Sequence, residues 1–209
     1  MTNKTIEFWF DFGSPTTYLA HTQLPRIARE TGARLVYKPM LLGGVFKATG
    51  NASPVTVPAK GRWMNRDIAR WAARYGVPFT FNPHFPINTL TLMRGAVGLQ
   101  MRDGAAFTPY VDAVFDAMWV QPRNLGDANE VTAVLAKAGL AGEAFAALVA
   151  DPEVKAALVA QDRAGRGARR VRRADLLRRR RDVLRPGSLG VRARGSASLT
   201  AIWRRAPPR

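Results

Sequence analysis

From Ile6 to Phe12 the chain is an aromatic and β-branched run, IEFWFDF, which predicts a buried strand. Gly13-Ser14-Pro15 follows. Serine as N-cap and proline at the first helical position make a strong helix start. The pattern predicts a helix over 15–30, bent or broken near Pro25, ending near Gly32. ARLVYKPMLL, residues 33–42, reads as a second strand. Strand, helix and strand form a βαβ unit, which favours a parallel sheet.

From Lys60 to Gln161 the apolar spacing turns helical. Met64, Ile68, Trp71 and Tyr75 share one face, closed by Gly76. A helix is expected from Asn88 to about Met101, and Phe107, Tyr110, Val111, Val114, Phe115 and Met118 stripe the next. Val131, Val134 and Leu135 precede Gly139, and two short helical pieces cover 141–161. Most of these side chains, with Trp119, are expected in the core. An α/β domain interrupted by such an insertion should return with further strands. The segment after Gln161 offers none.

Charge divides the chain at the same place. Residues 1–161 carry 16 basic and 12 acidic side chains, whereas residues 162–209 carry 16 arginines, no lysine and three aspartates. The chain has no cysteine, which excludes disulfides and protein-borne dithiol chemistry. His21 and His84 lack ligand spacing, so no metal is expected. No run of about 18 apolar residues occurs, and MTNKTIEFWF lacks the features of a signal peptide, so a cytoplasmic protein is expected.

Ser14 marks the first candidate for chemistry. At the handover from strand to helix, backbone N–H groups and the helix dipole stabilise an anion. Spacing alone favours a plain N-cap.

FDFGSPTTYLA (10–20), KPMLLGGVFKATGN (38–51), PAK (58–60) and GVPFTFNPHFPINTL (76–90) resemble the 2-hydroxychromene-2-carboxylate isomerases. These are relatives of the kappa-class glutathione transferases in the DsbA/thioredoxin-like superfamily. The resemblance implies an α/β fold: a thioredoxin-like βαβ domain with a large all-helical insertion. Residues 1–53 would begin that domain, 54–150 form the insertion, and 151–161 return to it. The resemblance also implies glutathione as cofactor, with Ser14 as the catalytic residue beside its sulfur. Asn51 and Lys60 match the positions that hold glutathione. Asp11, Tyr18, Lys47, Asn82 and Asn88 are candidate substrate contacts. Read from the residues, Asp11 also fits a structural acceptor, Tyr18 a packing residue and Asn88 a helix N-cap. The implied substrate is a small aromatic carboxylate, with a homodimer as the assembly and no specific nucleic acid or membrane partner. The implied reaction interconverts 2-hydroxychromene-2-carboxylate and trans-o-hydroxybenzylidenepyruvate in aromatic catabolism. A kappa-like transferase is the alternative on the same fold. A nucleic-acid-binding protein using the arginine-rich tail is the alternative of another class.

The family pattern calls for a closing ββα part after Gln161, including a G-x-P-T-F-F strand. Residues 162–209 do not contain it. Read one base out of frame from the Asp162 codon, the segment permits that strand and then a stop near Leu199 and Thr200. Arginine without lysine also fits GC-rich DNA read out of frame. The expectation is a frameshifted, non-native tail over 162–209. It would leave one edge of IEFWFDF unpaired and the product inactive or poorly folded.

Overall fold

The computed structural model of the chain describes residues 4–176 and 191–194. Strand β1 (Thr5–Phe10) leads through a turn into α1 (Pro15–Thr31), and β2 (Arg34–Pro39) returns beside β1. The two strands are parallel, registered from Thr5 opposite Arg34 to Phe10 opposite Pro39. This is the expected βαβ unit. β1 alternates, with Ile6, Phe8 and Phe10 buried and Thr5, Glu7 and Trp9 half-buried. It is therefore covered on both faces but sealed on one.

Three features of this part differ from the sequence reading. α1 runs unbroken across Pro25, because Leu24, Ile27 and Ala28 on either side are buried against the core. Their packing outweighs one missing backbone hydrogen bond. The second strand stops at Pro39, and the apolar residues after it start α2 (Leu42–Thr49) instead. The helix expected from Asn88 begins at Leu90, with Asn88 Oδ1 accepting the Leu90 N–H at 3.0 Å.

Helices α3 (Pro58–Tyr75), α4 (Leu90–Arg102), α5 (Gly104–Trp119), α6 (Ala128–Lys137) and α7 (Gly142–Ala150) follow. α1 and α3 both close on glycines in the left-handed region, Gly32 at φ 62° and Gly76 at φ 64°, where a Cβ would be strained. The helical part shares one core with the strands. Phe12 and Phe115 meet edge to face at 5.0 Å, and Phe10 lies 5.8 Å from Phe115. Each such ring contributes about 1.5–3 kcal/mol by leaving water. His21 ties three elements together: Nδ1 lies 3.0 Å from the Tyr37 hydroxyl on β2, and Nε2 lies 2.8 Å from Asp112 on α5.

The expected boundary at Gln161 is not a structural one. α8 (Pro152–Leu176) continues through it into the arginine-rich segment. Gly165 is buried, and a Cβ there would lie 3.2 Å from the Trp9 ring. Nor is the second edge of β1 bare. β3 (Val191–Arg194) pairs antiparallel with it, from Thr5 opposite Arg194 to Phe8 opposite Val191, giving the order β2-β1-β3. The arginine content hid this strand because ladder hydrogen bonds join backbone groups and do not depend on side-chain identity. Residues 177–190 and 195–209 of the expected non-native tail lie outside the described residues.

Candidate active site

Ser14 is the N-cap of α1, with extended backbone at φ −107° and ψ 110°. Its Oγ accepts the Thr17 N–H at a long 3.4 Å and lies 2.8 Å from Thr16 Oγ1. Thr17 spends its own hydroxyl proton on the backbone, between the carbonyls of Asp11 at 2.7 Å and Ser14 at 2.8 Å. The turn is thus braced from below by Thr17, while Ser14 and Thr16 face a cavity of about 350 Å³. That volume falls within the range of small-ligand sites, about 300–1,000 Å³.

Asp11, Ser14, Asn51 and Lys60 line this one cavity. They come from the end of β1, the start of α1, the segment after α2 and the first turn of α3. Asn51 Oδ1 accepts the Ala52 N–H at 2.9 Å, which leaves its NH2 group as a donor. Leu42 and Phe46 of α2 supply an apolar wall.

Asp11 is buried, and its carboxylate is engaged on both oxygens. Oδ1 accepts from the Gly13 N–H at 2.9 Å and the Thr89 hydroxyl at 2.8 Å, and Oδ2 accepts from the Leu42 N–H at 2.7 Å. Burial pushes its pKa up, these donors pull it down, and the like charge of Asp162 pushes it up again. The carboxylate therefore fixes the Ser14 turn to α2 and α4. This matches the structural acceptor reading.

Four candidate contacts sit elsewhere. Tyr18 is buried, donates its hydroxyl to the Pro78 carbonyl at 2.5 Å and stacks on Phe79. Burial, then Asp116, raises its pKa, so it is a neutral packing residue. Asn82 is fully buried and donates to the carbonyls of Met118 at 3.2 Å and Arg123 at 3.0 Å. It holds its own loop. Asn88 is exposed and takes the first N–H of α4. Lys47 is exposed on α2 and does not line the cavity.

Sequence reading missed Thr16, Thr89 and Asp162. Thr16 lines the cavity beside Ser14. Asp162 Oδ1 accepts the Leu41 N–H at 2.7 Å, so the first residue of the arginine-rich segment helps to seat α2. Trp119 packs as expected but also donates its indole N–H to the Phe12 carbonyl at 2.8 Å, fastening α5 to the segment that leads into the Ser14 turn.

The DSBA-like thioredoxin domain model matches residues 5–170. The 2-hydroxychromene-2-carboxylate isomerase of Sphingobium xenophagum is 34% identical over 154 residues, covering 71% of this chain and 75% of that protein. Glutathione S-transferase kappa 1 of Rattus norvegicus is 24% identical, covering 66% of this chain and 63% of that one. A solved 2-hydroxychromene-2-carboxylate isomerase superposes with a TM-score of 0.67 at 26% identity, over 78% of this chain and 79% of its own. With the cysteine-free turn of Ser14 at the head of α1, these matches give the conclusion that the chain belongs to the DSBA-like thioredoxin domain family, and within it to the 2-hydroxychromene-2-carboxylate isomerases.

Proposed function

We propose that the protein is a glutathione-dependent isomerase interconverting 2-hydroxychromene-2-carboxylate and trans-o-hydroxybenzylidenepyruvate, working in the cytoplasm on aromatic catabolites. The observation that carries this reading is the shared cavity. A serine hydroxyl at the electropositive end of α1, the Asn51 amide and the Lys60 ammonium face one space. Those groups fit a thiol-bearing peptide with free carboxylates. Lys60 offers a point charge for a carboxylate and Asn51 a donor for a backbone carbonyl.

Ser14, Asn51 and Lys60 would hold glutathione, which when bound would supply a thiolate nucleophile for reversible addition to the conjugated double bond of the substrate. Ser14 donates its O–H toward the sulfur and, with the dipole of α1, favours the ionised form. Asp11 keeps the turn in place and Thr17 braces it from beneath, so the hydroxyl does not reorganise during turnover. Leu42 and Phe46 shield one side of the site from water.

A kappa-like transferase is the second reading, favoured by the similarity to the rat kappa enzyme. Following glutathione through the reaction separates the two. An isomerase needs the thiol and returns it unconsumed, whereas a transferase converts it stoichiometrically into a conjugate. Isomerisation that proceeds equally well without glutathione overturns the proposal.

A further inference from the structure

We infer that Thr16 is a positioning residue for the thiolate, acting through Ser14 as the outer member of a two-hydroxyl relay. The inference rests on the glutathione reading above and concerns the direction of one hydrogen bond. Ser14 Oγ and Thr16 Oγ1 lie 2.8 Å apart, and either oxygen could donate. A serine hydroxyl has one proton and two acceptor positions. The Thr17 N–H already occupies one of those positions.

If Ser14 donated to Thr16, its proton would be used and only a lone pair would face an anionic sulfur. Ser14 could then not stabilise a thiolate. If Thr16 donates, both lone pairs of Ser14 are filled and its proton is free to point into the cavity. The second arrangement is the one compatible with an anion in the site. It also strengthens the bond to sulfur, because an oxygen that accepts a hydrogen bond becomes a better donor. Thr17 cannot take this role, since its proton lies between two backbone carbonyls. Thr16 is half-buried on the cavity side of the first turn, not part of the sealed core. Removing its hydroxyl therefore leaves the fold with little to lose.

The test measures the pKa of glutathione bound to the full chain, from the ultraviolet absorbance of the thiolate across a pH series. Thr16→Val and Thr16→Ala, which both lack the hydroxyl, should raise that pKa by about one unit, a tenfold change in the thiol ionisation constant. Thr16→Ser keeps the hydroxyl and should stay within about 0.3 unit of the parent. The affinity for S-methylglutathione, which has no ionisable sulfur, should be unchanged in all three. A parent with a clear thiolate signal and hydroxyl-free variants that share its pKa overturns the relay alone. A parent that binds glutathione without lowering its thiol pKa overturns the relay and the functional reading together.

Discussion

Asp162 accepts the backbone N–H of Leu41 across 121 residues of sequence, at 2.7 Å. Asp11 accepts that of the next residue, Leu42, at the same distance. Leu41 is the N-cap of α2 and has no capping side chain of its own, so two distant carboxylates take over the role. Both sit where the helix dipole favours negative charge. α2 carries the apolar wall of the cavity, so the arrangement links the middle of α8 to the shape of the site.

Removing that distant cap should be measurable. Asp162→Ala should cost about 1 kcal/mol of stability in a denaturant titration, the usual loss for an N-terminal cap. Asp162→Asn keeps an acceptor and relieves the repulsion with Asp11, so it should lie much closer to the parent. Equal losses in the two variants would count against capping as the role.

The observed cap role of Ser14 and its proposed role as donor to the thiolate separate by magnitude. As a helix cap through a 3.4 Å bond, it should contribute no more than about 1 kcal/mol of stability. As a donor to a developing or resident anion, it should matter far more to turnover. Ser14→Ala is expected to lower the isomerisation rate about 100-fold or more while leaving the unfolding midpoint nearly in place. Steady-state kinetics beside a melting curve reads both. A variant as fast as the parent would remove Ser14 from the chemistry.

The pH dependence of stability should carry the signature of Asp11. Burial holds its native pKa above the ordinary 3.8. A carboxyl with a raised native pKa binds its proton more tightly folded than unfolded. Its contribution to stability is fully present below the unfolded value and is lost as pH rises through the native one. Asparagine at this position does not titrate. The stability of the parent relative to Asp11→Asn should therefore fall as pH rises from about 4 toward neutrality, in urea titrations at several pH values. A difference that is flat with pH, or that grows in favour of the parent, contradicts the assignment.

Gly95 and Gly43 should respond oppositely to alanine. A Cβ at Gly95 of α4 would fall 2.4 Å from Phe145 Cε2 and 2.7 Å from the Tyr110 hydroxyl. Both neighbours are buried, and Tyr110 is further held by its bond to the Leu92 carbonyl at 2.8 Å. Overpacking of about 1–3 kcal/mol should exceed the helix-propensity gain of about 1 kcal/mol. Gly95→Ala is expected to be destabilising. At Gly43 of α2 nothing among the described residues lies within 4 Å of a Cβ, so Gly43→Ala should stabilise by about 0.4–1 kcal/mol. Thermal melts of the two variants give the comparison.

The arginine-rich segment makes a genetic prediction. If residues 162–209 are an out-of-frame translation, the shifted frame should encode the closing strands of the family. The protein made from it should bind glutathione at least about tenfold more tightly than the chain as written, the equivalent of one recovered polar contact. Side-by-side calorimetry of both products tests this, and equal affinity would make the frame irrelevant to the site.

Much of this was readable along the chain because it depends on local rules. The strand-turn-helix at Ser14 followed from an aromatic run, a serine and a proline. The left-handed glycines at 32 and 76 ended their helices where the pattern stopped. The helical stripe over 107–118 became α5 and its buried side. The family motifs then pointed to Asn51 and Lys60, which do share the cavity with Ser14.

Tertiary structure decided what depends on groups far apart in sequence. Tyr18 and Asn82 look like site residues beside their motifs, but partners 60 and 36 or more positions away turn them into packing and loop supports. Asp162 looked like the start of a non-native tail, yet its carboxylate meets a backbone donor that only the packing of α8 on α2 brings near. β3 forms through backbone bonds that leave almost no trace in residue type. Sequence states which groups are available and which local shapes they favour. Which donor meets which acceptor across the core is set by the packing of helices and strands, and that packing determines which polar groups remain free to face the cavity.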